Sequence, residues 1–199
     1  MKKYAMVFDA GTGAGRCNLF DMSGRLVSYA YREWEYLKDL SSSNKEAMLF
    51  DAEQFKKILF SLCRKVITQA GISADEIVAV SATSQREGMV WLDRFGKEIY
   101  AAPSVDLRGE EAADTLSGKE PFIKEITGLP VSGMFGLARL LWYKKFNEAV
   151  YDRIDTVMMI SDWICYLLCG VKISEPAIAS FDKINAEAKM QAIAKKYFT

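Results

Sequence analysis

Residues 6–16, Met6-Val7-Phe8-Asp9-Ala10-Gly11-Thr12-Gly13-Ala14-Gly15-Arg16, constrain the fold more than any other stretch of this 199-residue chain. An apolar run ends in a carboxylate, a glycine-rich turn carrying one hydroxyl follows, and an arginine opens a second alternating stretch, Cys17-Asn18-Leu19-Phe20-Asp21. That order predicts two antiparallel strands joined by a turn whose amides can approach a polyphosphate, because glycine has no side chain to hold it off. Asp9, Gly11, Thr12, Gly13 and Arg16 are the phosphate-binding candidates. Asp9, at the strand tip, is the metal candidate, holding Mg²⁺ directly or through water. Arg16 has two open readings: it stabilises phosphate charge, or it anchors the hairpin. The plain alternative for the whole motif is an ordinary glycine-containing hairpin.

Three other phosphate loops do not fit. A Walker loop needs a Gly-Lys-Ser/Thr string, which does not occur. A dinucleotide fingerprint needs a third glycine where Arg16 stands and a helix after it. A protein-kinase catalytic loop uses histidine, and the chain has none. Composition narrows the class further. Half the residues are hydrophobic, and 26 basic side chains balance 26 acidic ones. This predicts about one globular domain and argues against nucleic-acid or membrane-surface partners. Cys17, Cys63, Cys165 and Cys169 lie among apolar residues without histidine or metal-ligand spacing, which predicts reduced core thiols and a cytoplasmic location. The opening residues do not read as a secretory leader, because Asp9 interrupts the first apolar run. Met158–Leu168 is too short and too polar to span a bilayer and reads as a buried helix.

Strands are expected at Tyr4–Phe8, Arg16–Asp21 and Leu26–Trp34, with a polar, irregular segment over Glu35–Phe50. Asp51 reads as the N-cap of a helix reaching Ala70 and closed by Gly71. Ile77–Ala82, a continuous apolar run, predicts a strand covered on both faces. Gly88–Leu92 and Lys97–Ala101 flank a second hairpin turn, Asp93–Gly96. Helices are expected at Leu107–Leu116, at Phe135–Phe146 as an amphipathic element, and at Asp162–Leu168, capped by Ser161 and closed by Gly170. Thr156–Ile160 predicts a strand, and Phe181–Thr199 a further helix with interspersed lysines. Three meandering strands, a helix, then more strands and helices make an α/β fold. The order matches a ribonuclease-H-like, actin-type ATPase domain with a mixed sheet and flanking helices.

Several segments resemble those of the FGGY carbohydrate kinases. Asp9-Ala10-Gly11-Thr12 with Arg16 resembles the family's first phosphate motif. Ser84-Gln85-Arg86-Glu87-Gly88, followed by Trp91-Leu92-Asp93 and Gly96-Lys97, resembles its sugar-binding segment. Asp106-Leu107-Arg108, Thr127-Gly128-Leu129-Pro130, Arg139-Leu140-Leu141-Trp142, Ile160-Ser161-Asp162-Trp163 and Ala179-Ser180 follow in family order. Within the family, residues 9–13, 86–88, 105–108 and 159–163 look closest to the autoinducer-2 kinase branch. Three departures stand out. Ser104 stands where many sugar-kinase members have a tryptophan, and Met134 where glycerol-kinase-like members put a substrate-facing tyrosine, which together count against a glycerol or aldose; Glu175-Pro176 replaces a more usual Thr-Asp.

The resemblance implies ATP and Mg²⁺ as cofactors and a small sugar, polyol or autoinducer-2-like molecule as substrate. It implies Gln85, Arg86, Glu87, Asp106 and Met134 as substrate-binding residues. From spacing alone, Arg86-Glu87 reads as an exposed charge pair; a polyol site makes it the donor and acceptor that buried hydroxyls require. Arg108 reads as a helix start, Asp162 with Trp163 as a helix start with a core aromatic, and Trp91 and Trp142 as core. The resemblance also implies that the catalytic aspartate, and a C-terminal domain holding adenine, lie beyond Thr199. Residues 1–199 are then an incomplete N-terminal kinase domain, expected to be inactive alone. A truncated homologue that binds a ligand or partner without chemistry is the alternative, and a homodimer is an open expectation. A nuclease of the same fold is disfavoured by the neutral charge.

Overall fold

The computed structural model describes residues 3–174 apart from Leu129. Strands β1 (Tyr4–Ala10), β2 (Ala14–Asp21) and β3 (Leu26–Glu33) form the expected antiparallel meander. Alternation fixes their register: Tyr4, Met6, Phe8, Ala10, Cys17, Leu19 and Ala30 are buried on one face. Asp21 shapes the second turn, where Gly24 takes φ +83°. The Asp21 carboxylate accepts from the Ser23 hydroxyl and the Ser23 and Arg25 amides, which holds its carboxyl down at about 2.

The polar segment contains a two-residue ribbon, β4 (Leu37–Lys38) paired with β5 (Met48–Leu49). Helix α1 (Ala52–Ala70) follows, with Asp51 accepting from the Gln54 amide and Gly71 left-handed at the end. Its apolar side, Phe55, Ile58, Leu59, Leu62 and Val66, covers the buried face of the meander. Strand β6 (Ile77–Ser84) then returns parallel to β1, so the sheet runs β3-β2-β1-β6. β6 differs from expectation. It lies at the sheet edge, with Val78 49% and Val80 47% exposed, rather than covered on both faces. An apolar run signals burial in a completed layer, and among the described residues that layer is open on this side.

A second sheet is built from β7 (Met89–Leu92), β8 (Glu98–Ala102) and β9 (Thr156–Met159), in the order β8-β7-β9. Four helices accompany it: α2 (Glu110–Ala113), α3 (Glu120–Thr127), α4 (Gly136–Phe146) and α5 (Glu148–Tyr151). The helix expected from Leu107 begins only at Glu110, and α3 and α5 were not foreseen. α4 is not amphipathic: Ala138, Arg139, Leu140, Leu141, Trp142 and Tyr143 are all buried. Its upper half is wedged between the second sheet, where Tyr143 meets Trp91 edge-on, and the loops before α2. Helix α6 (Ile160–Cys169) joins the two cores, since Trp163 stacks near Phe50 and Phe55 of the first. Met159 is its N-cap, so Ser161 lies inside the first turn instead of capping it, while Gly170 ends the helix as expected.

Trp91, Trp142 and Trp163 are core residues. All four cysteines are free of disulfide bonds, but only Cys17 is fully buried and Cys169 is exposed. Among the described residues no group of His, Cys, Asp or Glu is arranged to hold a metal by itself, and no helix is long and apolar enough to cross a membrane. Glu175-Pro176, Ala179-Ser180 and the helix expected over Phe181–Thr199 lie outside the described residues.

Candidate functional site

The parallel pairing of β1 and β6 brings two loops together. Asp9 is in register with Thr83, and Ala10 with Ser84, so both strands release their chains at the same sheet end. Ligand sites of α/β sheets form at such carboxyl ends. A cleft of about 660 Å³ opens there, lined by Thr12, Glu46, Ser84, Gln85, Arg86, Glu87, Ser104, Val105, Leu107 and Met134. Its size suits a small metabolite.

The glycine turn forms one wall. Gly11 donates to the Ala14 carbonyl at 2.9 Å, closing the turn. Thr12 and Gly13 are exposed, and among the described residues their amides donate to no protein acceptor. Two unspent N–H groups at the rim of a cleft are what an anion requires. Trp34 and Tyr36 hold the turn from behind. The Trp34 indole donates to the Thr12 carbonyl at 3.1 Å, the Trp34 amide donates to the Gly13 carbonyl at 3.1 Å, and the Tyr36 hydroxyl donates to the Thr12 carbonyl. Gly15 is required for this: a Cβ there would stand 2.5 Å from the Trp34 ring.

Asp9 and Arg16 face each other across β1 and β2. Arg16 Nη1 reaches Asp9 Oδ2 at 3.3 Å and its guanidinium lies 5.5 Å from the Tyr31 ring. The side chains are 34% and 54% exposed, so the pair contributes at most about 1 kcal/mol and can exchange partners readily. Asp9 Oδ1 accepts no hydrogen bond among the described residues. A carboxylate oxygen left open at the strand tip fits a hydrated Mg²⁺. Neither Asp9 nor Arg16 lines the cleft itself.

The opposite wall is the loop after β6. Gln85 spans the two walls: its amide nitrogen reaches the Tyr36 hydroxyl at 3.0 Å and the Gly11 carbonyl at 3.4 Å, while its oxygen accepts from the Ser104 amide and hydroxyl, both at 2.8 Å. Glu87 has φ +59°, the one non-glycine residue with positive φ among those described. Gly88 allows the loop to pass, because a Cβ would meet Ile160 at 2.7 Å and Gln85 at 2.9 Å. Burial pushes the Glu87 carboxyl above its ordinary value, and the cations of Arg86 and then Arg139 oppose that rise.

Asp106 is placed differently. It is 0% exposed and does not line the cleft. Its carboxylate accepts from Arg108 Nε at 2.8 Å, the Met48 amide at 3.0 Å and the Tyr100 hydroxyl. Arg108 is likewise fully buried rather than a simple helix start. It pairs with Asp39 at 2.7 Å and lies against the Tyr100, Trp142 and Tyr143 rings at 5.1–5.2 Å. Burial raises the Asp39 carboxyl, but bonds from Ser41 and Arg108 outweigh it and hold the group below its usual value. This network sets the loop that carries Ser104 and Val105. Tyr36, Glu46 and the clamping role of Gln85 escaped the sequence reading, since the first two sit in a segment without periodicity.

The model of the FGGY family of carbohydrate kinases, N-terminal domain, matches residues 4–185. The chain belongs to that family. An autoinducer-2 kinase of Yersinia enterocolitica is 33% identical over 183 residues, covering 88% of this chain and 34% of the relative. The autoinducer-2 kinase of Escherichia coli K12 is 33% identical over 185 residues, covering 89% and 34%. The chain therefore spans about a third of the length of these FGGY relatives. Among solved structures, a xylulose kinase from Rhodospirillum rubrum superposes with a TM-score of 0.78 at 20% identity, over 90% of this chain and 37% of that one. A gluconate kinase from Lactobacillus acidophilus gives 0.75 at 20% identity, over 90% and 36%. The fold is thus the FGGY kinase fold, the actin-type α/β arrangement with a mixed sheet and flanking helices.

Proposed function

We propose that residues 1–199 form the substrate- and phosphate-binding lobe of an ATP-dependent kinase acting on a hydroxyl of a small sugar, polyol or autoinducer-2-like molecule. One observation carries this reading: Thr12 of the glycine turn and Arg86-Glu87 line the same cleft, joined through Gln85. Phosphoryl transfer needs little from a protein beyond positioning and charge stabilisation. ATP, when bound, supplies the phosphoryl group. The Thr12 and Gly13 amides would hydrogen-bond phosphate oxygens, Asp9 would help to hold Mg²⁺, and Arg16, in an exposed pair, would be available to phosphate charge. Arg86 donates to, and Glu87 accepts from, neighbouring substrate hydroxyls. Met134 offers an apolar contact where a tyrosine would add a hydroxyl, which counts against glycerol or an aldose as the acceptor. Asp106 acts from behind, fixing the Ser104 loop through Arg108. The curated autoinducer-2 kinases among the relatives support a linear dihydroxy-dione as one candidate acceptor. The setting is cytoplasmic, with reduced thiols.

Thermal-shift and calorimetric titration with polyols, ketoses and a linear dihydroxy-dione tests the assignment. Saturable binding that Arg86→Ala weakens supports it; no binding by any of them contradicts it. Residues 1–199 alone do not turn over in this proposal, since the base is expected elsewhere in the kinase. ATP-dependent phosphorylation by this chain alone would overturn that point. A second reading, ligand or partner binding without chemistry, has support in the exposed Tyr29, Tyr31, Val78 and Val80 on the outer strands. A dilute monomer by light scattering that binds no apolar dye argues against it.

A further inference from the structure

Glu87 holds a backbone conformation that any residue with a Cβ resists, and something must maintain it. Its carbonyl accepts from Arg139 Nη1 at 2.8 Å. Arg139 Nη2 donates to the Ser104 carbonyl at 3.2 Å. The two carbonyls belong to two different loops that both line the cleft. Arg139 itself rises from the first turns of α4 and is 0% exposed.

This cation is unusual. Among the described residues no carboxylate lies within ion-pair distance of it, and its Nε has no partner. A buried guanidinium is expensive unless fully satisfied, and an apolar side chain would fill the same space more favourably. What the arginine alone can do is reach two carbonyls at once with a rigid, planar fork. The helix is pressed close enough for that reach by two glycines. A Cβ on Gly109 would stand 2.3 Å from the Gly133 carbonyl, and one on Gly133 would stand 2.3 Å from Glu110. The start of α2 and the approach to α4 are therefore in backbone contact, which aims Arg139 at the loops.

We propose that Arg139 is a positioning residue: its buried fork ties the Glu87 loop to the Ser104 loop and holds Glu87 left-handed, with its carboxylate at the cleft. The inference rests on the hydroxyl-accepting role given to Glu87 above. Arg139 touches no substrate in this account. It sets where the acceptor stands, and a lysine ammonium, a point charge without the planar fork, is expected to hold the two carbonyls less well.

The test separates the clamp from the substrate assignment. Isotope-labelled wild-type chain, Arg139→Lys and Arg139→Met are compared by NMR without ligand, then titrated with xylitol and with a linear dihydroxy-dione. The Glu87 Cα and carbonyl shifts are expected to carry a left-handed signature in the wild type and to lose it in both variants, while β1–β3 amides stay unchanged. Affinity for whichever probe the wild type binds is expected to fall about tenfold, the loss that one misplaced charged hydrogen-bond acceptor brings. Arg139→Lys keeps charge and bulk, so the test stands even if Arg139→Met does not fold. A left-handed Glu87 signature retained in Arg139→Lys overturns the proposal. So do losses spread evenly through β1–β3, which would make Arg139 a general stabiliser. If the wild type binds neither probe while the Glu87 shifts respond as expected, the clamp stands and the substrate reading falls.

Discussion

Asp106→Ala separates a residue that builds the cleft from one that reads the substrate. The side chain is fully buried and accepts from Arg108 Nε at 2.8 Å, the Met48 amide at 3.0 Å and the Tyr100 hydroxyl. Alanine strands all three donors in a dry site. Removing one member of a buried pair costs about 3–5 kcal/mol. Arg108 keeps its bond to Asp39 at 2.7 Å, so the loss should fall near the lower end. With a urea slope of about 2 kcal/mol/M, the unfolding midpoint should drop by about 1.5 M. Arg86→Ala, in the exposed part of the loop, should move stability by no more than about 0.5 kcal/mol. Urea titrations followed by tryptophan fluorescence measure both. A midpoint for Asp106→Ala within about 0.3 M of wild type would mean that the buried carboxylate does not hold these donors. Ligand affinity abolished at unchanged stability would mean that Asp106 contacts substrate directly.

Three further outcomes are expected. Gly15→Ala should push the Trp34 ring off the glycine turn, destabilise by about 1–3 kcal/mol, and weaken Mg·ADP binding in calorimetry; a silent substitution would show that the turn does not depend on that ring. Glu87 has a raised carboxyl, so its folded-state pKa lies above the unfolded one. Its contribution to stability is present at low pH and is lost as pH rises through the raised value, upward from 4.5. Glu87→Gln should flatten that part of a melting-temperature profile, and an unchanged profile would count against the burial argument. Alkylation read by mass spectrometry should modify exposed Cys169 first and Cys17 last in the native protein, with the difference vanishing in denaturant; early modification of Cys17 would contradict its packing under α1.

The first hairpin was legible because every level of the sequence agrees there. Period-two alternation, a glycine turn and the Asp21–Gly24 turn each specify the same meander, and Asp51 and Gly71 bracket α1 unambiguously. Legibility failed where tertiary context decides. Ile77–Ala82 is apolar enough for a central strand, yet among the described residues it stands at the sheet edge. α4 shows no single apolar stripe because it is enclosed by a sheet, α2 and two loops. Of the candidate site residues, Thr12, Gln85, Arg86, Glu87 and Met134 share one cleft. Local pattern cannot tell a carboxylate that faces solvent from one that faces an arginine, and for that reason Asp106 was expected in the cleft but lies behind it. Trp34, Tyr36 and Arg139 act through backbone carbonyls, which leave no trace in side-chain spacing.

NMR shift mapping of the wild-type chain with Mg·ADP, with a bound polyol or dihydroxy-dione, and with both together tests the shared cleft most directly. The account predicts that nucleotide moves the amides of Gly11–Gly13, that the hydroxylated ligand moves Arg86–Gly88, and that Gln85 responds to either. Nucleotide shifts confined to another surface, with Gly11–Gly13 unmoved, would contradict it.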